Sequence, residues 1–495
     1  MKAENLFDAM SGIDEKVLDR SEKNLRKGGK SPRGKKSKFR LFAGIAAGVA
    51  AAVVVAAVIL RPILLNKPVY AKFALAEAEY PKMVESPLGD SGVYTGGDAD
   101  DMDEWLDSLR KRHQKLTEYG SEKALAGVNA WVEKSLPVLL KGGPGENKVY
   151  SPINIYLALG MLGETAGGNT RAQILELLGA GDAADLRARA DALWTASYID
   201  DGVTKSLPAA SLWLRNDTSY NAALLQNLAK YYHASSFHGK MGDAAYSKAF
   251  REWIDKQTDN LLKNSTKDME LDPQTVMALV TTLCYRARWT NLFEEENTKD
   301  AVFHAASGDV TKKFMHETVY NGTYFYGERF GAVIKGVSNP ETSADMLFIL
   351  PDEGVSPQEL LSDPEVIDFI TGRKVVNHVA RRVELAVPKF DVTSDCNLRE
   401  ALEKLGVTDA FAPDKADFSN LTKDGAALYI SNATHSARVQ IDEEGVKAAS
   451  LTTIVYAGAM PPPDETVEFV LDRPFLFVLQ NDAGIPLFIG IVEMP

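Results

Sequence analysis

Seven histidines and two cysteines are the chain's whole stock of imidazole bases and thiols. Neither set is spaced for chemistry. Cys284 and Cys396 lie far apart in sequence, which suits buried free thiols better than a redox pair or a zinc clip. No H-E-x-x-H, C-x-x-C, G-x-x-x-x-G-K-S/T, G-x-G-x-x-G or G-x-S-x-G occurs, so zinc hydrolase, nucleotide-dependent and α/β-hydrolase chemistry lose their local signatures. A Ser/His/Asp triad drawn from distant residues would leave no such trace. The one histidine that stands out is His435, in a strand-like run, where it reads as a hydrogen-bonding structural residue rather than a base. The acidic cluster Asp98, Asp100, Asp101 and Asp103 lacks the D-x-D-x-D-G spacing of a calcium loop and reads as a solvated face. The expectation is a protein that is not an enzyme, with no metal and no cofactor.

Chemistry of another kind is written into Ile441–Pro463, IDEEGVKAASLTTIVYAGAMPPP. Three acids precede Gly445, and from Ala448 to Pro463 there is no charge. Such a stretch is too rich in β-branched residues for a flexible linker. On alternation, Val446, Ala448, Ser450, Thr452 and Ile454 share a small, uncharged face that a sheet interior would accept. Two readings stand at this point: an ordinary buried strand, or a loop that can become one.

The elements that must position this segment come from a chain of two unlike compartments. Overall, 45% of residues are apolar and 25% charged, as in globular proteins. Residues 1–40 hold twelve Lys/Arg and six Asp/Glu; +6 here and −13 overall leave −19 for the rest. That acidity argues against nucleic-acid binding. Residues 41–60, LFAGIAAGVAAAVVVAAVIL, carry no charge and as a helix would reach about 30 Å, enough to cross a bilayer. The basic run Lys30, Arg33, Lys35, Lys36, Lys38 and Arg40 directly before it predicts an uncleaved anchor with its N-terminus in the cytoplasm. The basic region is too long for a cleaved signal peptide. Residues 61–120 read as an acidic, Gly-rich juxtamembrane linker, with an amphipathic helix over Asp103–Leu116.

From residue 121 to 495 the pattern is α+β. Helical periodicity marks Glu122–Leu140, Ile153–Leu162, Arg171–Leu178, Ala184–Tyr198, Ala222–Tyr232, Ser247–Leu262, Pro357–Thr371 and Cys396–Leu405. Strand signals mark Val276–Tyr285, Met346–Leu350, Val383–Val387, Arg473–Leu479 and Ile485–Val492.

Ordered along this region are Asn147-x-x-Tyr150-Ser151-Pro152-x-Asn154, Trp289 after a buried strand, and Leu350-Pro351-Asp352-Glu353-Gly354. Then come Val387-Pro388-Lys389-Phe390, Leu402-x-x-Leu405-Gly406-x-x-x-x-Phe411, Ala416-Asp417-Phe418-Ser419 and Thr434-His435-x-Ala437. Glu443-Glu444-Gly445 with Ala448-Ala449, Arg473-Pro474-Phe475-Leu476-Phe477 and Pro486-Leu487-Phe488-Ile489-Gly490 complete the series. Each is weak alone; together and in order they resemble the serpins, inhibitors of serine proteases. Thr281 departs from the pattern, where the family usually has Asn.

The resemblance implies three β-sheets, about eight or nine helices and an exposed reactive loop. It implies that Glu443, Glu444, Gly445, Val446, Ala448, Ser450 and Thr452 form a hinge, and that Ser151, Asn154, His435 and Trp289 border the opening of a central sheet. Family spacing from Gly445 implies a bait bond at Ala459–Met460. Its small Ala459 would suit an elastase-like or subtilisin-like serine protease. The mechanism implied is cleavage, then insertion of the loop as an added strand with the protease still attached. The whole would be a monomeric, single-pass inhibitor displayed outside the cell; the short tail and few cysteines point to a bacterial source. The alternative is a non-inhibitory binding protein or chaperone of the same fold.

Overall fold

A computed structural model of the chain describes residues 68–88, 99–337, 344–374, 376–446 and 465–495. A one-turn helix at Val69–Phe73 runs into strand β1 (Ala74–Ala76). Helices α1 (Ala99–Tyr119) and α2 (Ser121–Leu139) follow, broken at Gly120, whose φ of 100° suits glycine. β2 (Lys148–Tyr150) leads into α3 (Pro152–Thr165). Ser151 caps α3 by accepting from the Asn154 N–H, and Pro152 fits the first turn because no N–H is needed there. α3 is buried along its whole length. α4 (Gly168–Leu178), α5 (Ala183–Ser197), β3 (Ile199–Asp200), β4 (Lys205–Arg215), α6 (Ala222–Tyr231) and β5 (Ala234–Gly239) come next. α7 (Ala244–Gln257) begins on an Asp243 cap, not at Ser247, and ends before Asp259 and Asn260, both at positive φ. Then come α8 (Lys263–Thr266) and β6 (Met277–Arg288).

The second half is mainly strand: β7 (Lys299–Ala305), β8 (Gly308–Tyr326), β9 (Phe330–Val337) and β10 (Ala344–Pro351). The helix expected over Pro357–Thr371 is two, α9 (Pro357–Leu360) and α10 (Pro364–Ile370), because Pro364 lacks the N–H that would continue the first. β11 (Asn377–Pro388), β12 (Phe390–Asn397), α11 (Leu398–Lys404), β13 (Asn432–Ile441), β14 (Gly445–Val446), β15 (Thr466–Val470), β16 (Phe475–Asn481) and β17 (Pro486–Val492) complete the chain. Cys396 therefore ends a strand; the helix starts at Leu398 on an Asn397 cap.

Hydrogen bonding joins these strands into two sheets among the described residues, not three. The central one has the order β1-β5-β4-β6-β14-β13-β12, with β3 on β4. The other has the order β15-β11-β8-β9-β10-β16-β17-β2, with β7 on β8. The expected third sheet is not separate because β8 and β11 are long enough to pair across what would be two sheets. The described residues hold eleven α-helices rather than eight or nine. Two of them, α8 and α9, are single turns.

The linker expectation for residues 61–120 also needs correction. The compact unit begins at Pro68. β1 pairs with β5, and α1 packs on α5 with Trp105 fully buried, its indole N–H donating to Asp201 at 3.3 Å. Residues 61–67 and 89–98 lie outside the described residues, as do the basic tail and the 41–60 span. Among the described residues no helix is long and apolar enough to cross a membrane.

Candidate functional site: the seam of the central sheet

β6 and β13 run parallel where Asn432–Ser436 lie beside Ala278–Thr282. At the other end of this seam β14 stands between them, antiparallel to both: Gly445 and Val446 oppose Arg288 and Ala287 of β6, and Val446 opposes Ile441 of β13. Among the described residues no register joins Ala437–Gln440 to Leu283–Arg286 between these two points. A small cavity of about 10 Å³, lined by Leu261, Tyr285, Arg438, Val439, Gln440, Val446 and Phe488, occupies that interval.

The hinge is thus partly seated. Asp442 turns the chain back on itself: its carboxylate accepts from the N–H groups of Glu444 (3.0 Å) and Gly445 (3.3 Å). The Trp289 indole N–H donates to the Asp442 carbonyl at 2.8 Å, its backbone N–H to the Glu444 carbonyl at 3.0 Å, and the Phe293 N–H to the Glu443 carbonyl at 3.1 Å. Trp289 therefore holds the turn of the hinge through its backbone and its ring together. Glu443 bonds Lys389 Nζ at 2.6 Å and Thr298 Oγ1 at 2.9 Å. Burial works to raise the Glu443 pKa, yet the bond from Lys389 leaves it below the usual range, so it is ionised at neutral pH. Beneath Trp289 and Phe293 lies buried Lys335, paired with Glu317 and donating to the Asn291 carbonyl at 2.8 Å. Burial pulls the Lys335 pKa down against the pull of Glu317.

Gly445 serves this site by its smallness more than by rotation. A Cβ there would stand 2.3 Å from the Ala287 carbonyl oxygen and 2.6 Å from Arg288 Cα, with no positive φ involved. Val446 is already 2% exposed in the main core. The sequence expectation was that Val446 enters the sheet only after cleavage; here it is inside beforehand, because Asp442 folds the hinge onto β13. Ala448, Ser450, Thr452 and the Ala459–Met460 bond lie outside the described residues.

The closed end of the seam is built on His435, fully buried. Its Nε2 accepts from the Ser151 backbone N–H at 2.9 Å, which fixes the proton on Nδ1, and Nδ1–H donates to Thr281 Oγ1 at 2.8 Å. The ring is neutral, and burial pushes its pKa down to about 3. That is a clamp rather than a base poised for proton transfer: Nε2 is taken by the Ser151 N–H, and Nδ1 donates to the Thr281 hydroxyl instead of accepting its proton. Thr281 does here what the departure from the family pattern left open. Ser151 contributes its backbone, and its hydroxyl caps Asn154 N–H. Asn154 is buried nearby, its Nδ2 without a partner among the described residues. Thr298 and Phe293 are site residues for which the sequence carried no signal, whereas Lys389 was visible as the cation inside Pro388-Lys389-Phe390 and Asp442 as the first of the three acids before Gly445.

The central sheet is thus mixed, with β14 folded back between β6 and β13 at one end of their seam and a neutral, buried histidine joining them at the other. A family model described as serpin (serine protease inhibitor) matches residues 121–495, and the chain belongs to that family. It is 28% identical over 389 residues to neuroserpin of Mus musculus, spanning 74% of this chain and 91% of that one. Plasminogen activator inhibitor 1 of Neovison vison is 29% identical over 368 residues, 70% of this chain and 87% of that one. The crystal structure of the thermophilic serpin tengpin in its native state superposes with a TM-score of 0.67 at 27% identity, covering 76% of this chain and 95% of tengpin. The curated relatives named here are mammalian, which lends the expected bacterial source no support.

Proposed function

We propose that this chain is a membrane-anchored suicide inhibitor of extracellular serine proteases of the elastase-like or subtilisin-like kind. Residues 41–60 are its single span, the N-terminus is cytoplasmic, and the inhibitory domain is an extracellular monomer. The protease attacks Ala459–Met460 and forms an acyl-enzyme. The freed loop then zips between β6 and β13 behind β14, carrying the protease with it. The observation that most supports this is the seating of Gly445–Val446 as a short strand between β6 and β13, where an inserting loop would begin. Behind them Ala448, Ser450 and Thr452 continue the small, uncharged face. About a dozen further strand residues, at about 0.5–1.5 kcal/mol net per hydrogen bond, give an order of ten kcal/mol, enough to outlast hydrolysis of the acyl-enzyme.

The test is incubation of the detergent-solubilised chain with a panel of serine proteases. The expected result is an SDS-stable complex with an elastase-like or subtilisin-like member, and a released C-terminal peptide beginning at Met460. Cleavage with full protease turnover and no complex would favour the non-inhibitory binding protein. A peptide beginning well outside Gly458–Pro461 would overturn the assigned bond.

A further inference from the structure

A lysine seldom lies inside a protein unless its ammonium is met on every side. Lys335 of β9 is buried beneath the two rings that border the hinge. Its Nζ pairs with Glu317 of β8 and donates to the Asn291 carbonyl at 2.8 Å, in the loop that leaves β6. Those partners meet two of its three N–H groups. Aromatic faces lie around the remainder: the Phe293 centroid is 4.2 Å from Nζ and the Trp289 centroid 5.5 Å, both within cation–π range. Solvent reaches the acid more than the ammonium. Glu317 lines an open cavity of about 320 Å³ with His316 and Glu384, and its side chain is 18% exposed against 5% for the lysine.

Such a pair is a poor device for stability. Desolvating the ammonium consumes most of what the pair returns, and an apolar side chain of similar size would hold β8 and β9 together as well. What an apolar side chain cannot do is bind a backbone carbonyl and two ring faces at once. All three of those groups lie between Trp289 and Phe293. β9 supports the same loop directly: the Thr290 N–H donates to the Gly336 carbonyl at 2.9 Å, and Trp289 bridges to Val337. A Cβ at Gly336 would stand 2.8 Å from Thr290 Oγ1, so the loop lies close against the strand. The hinge is held from this loop. The Trp289 backbone N–H, the Trp289 indole N–H and the Phe293 N–H donate to the carbonyls of Glu444, Asp442 and Glu443 respectively.

We propose that Lys335 is a positioning residue for loop insertion: with Glu317 as its counter-charge, it fixes the 289–293 loop so that three N–H groups grip the hinge and keep Gly445–Val446 seated between β6 and β13. This deepens the insertion reading above and rests on it for the consequence in inhibition. The grip itself is a property of the uncleaved chain.

The test compares amide hydrogen exchange in the full-length parent and three variants, all in detergent. The Trp289 and Phe293 amides report the grip, because hinge carbonyls are their acceptors; the amides of β16 serve as the reference. Lys335→Met keeps the stem and removes the ammonium. It should speed exchange at Trp289 and Phe293 at least tenfold, leave β16 as in the parent, and raise several-fold the number of inhibitor molecules consumed per protease trapped. Glu317→Gln removes the counter-charge but keeps an acceptor, and should have a smaller effect of the same sign. Lys335→Met with Glu317→Leu removes the pair as a whole. Its urea midpoint should return to that of the parent, because no charge is left unpaired, while fast exchange stays confined to the loop. Slow exchange at both amides in that double variant would make Lys335 a mere structural partner of Glu317 and overturn the proposal. A folded Lys335→Met that exchanges like the parent would overturn it too. If the single variant does not fold, the double variant decides on the same two amides. A parent that traps no protease sinks the insertion reading, while exchange at Trp289 and Phe293 still decides the grip.

Discussion

The two ends of the β6–β13 seam use opposite means. At one end, closure is achieved by a neutral, fully buried imidazole that spends both ring nitrogens on neighbours, Ser151 and Thr281. At the other, closure is achieved by inserting something else: two residues of the hinge, pinned by Trp289 and the Lys389–Glu443 pair. The first end is fully buried, whereas the second reaches the surface at Lys389. A strand entering from the hinge end therefore meets easily broken contacts first and the histidine clamp last.

The largest disturbance should come from Gly445→Ala. The new Cβ collides with backbone that cannot move without unpairing β6. β14 should leave the seam, and cleavage should then outrun insertion. The stoichiometry of inhibition, measured by titrating protease activity, should rise several-fold. A variant that titrates like the parent would mean that seating of β14 is unimportant.

Next is the clamp. His435→Ala strands the Ser151 N–H in the interior, an omission worth about 1–3 kcal/mol, before the lost packing is counted. The midpoint of urea unfolding should fall accordingly. Thr281→Val leaves the ring's Nδ1–H unmet and should cost somewhat less.

The same clamp gives a pH dependence. The folded pKa of His435 lies near 3, below the ordinary 6.5, so the unfolded chain takes up a proton that the native one refuses. Stability from this residue is intact above about pH 6.5 and is lost progressively as pH falls toward 3. Compared with His435→Gln, which does not titrate, the parent should show the steeper loss of urea midpoint between pH 6.5 and pH 4.5. Parallel profiles would mean the ring is charged or exposed.

The smallest effect belongs to Lys389→Met. Its partner Glu443 is mostly covered, but the lysine is 37% exposed, so solvent screening keeps the loss to about 1 kcal/mol or less. The variant should loosen the hinge turn without expelling Val446, visible as faster amide exchange at Glu443–Gly445 with little change in unfolding midpoint.

The same contrast explains what could be read from sequence. His435 was legible as structural because a lone histidine in an alternating strand has nowhere to send a proton. Its partner Thr281 was visible only as a departure from a pattern, since pairing across parallel strands carries no local signature. Gly445 was legible as special from its place in the hinge, but its close approach to β6 was not, because that is a property of the sheet and not of the hinge's own sequence. The seating of Val446 was hidden by the Asp442 turn. The 68–88 segment reads as spacer because its anchors, Tyr70 and Tyr80, are isolated aromatics without periodicity. Their partners, Phe237 and Trp194, lie far along the chain. Likewise, the long strands β8 and β11 merge what a family outline would divide into separate sheets.

Whether this seam receives the cut loop as a strand is read most directly from the thermal unfolding midpoint of one preparation before and after its loop is cleaved near Ala459–Met460. Insertion predicts a large upward shift, reflecting stabilisation on the order of ten kcal/mol from the added strand's hydrogen bonds. A midpoint that stays in place or falls after cleavage would contradict it.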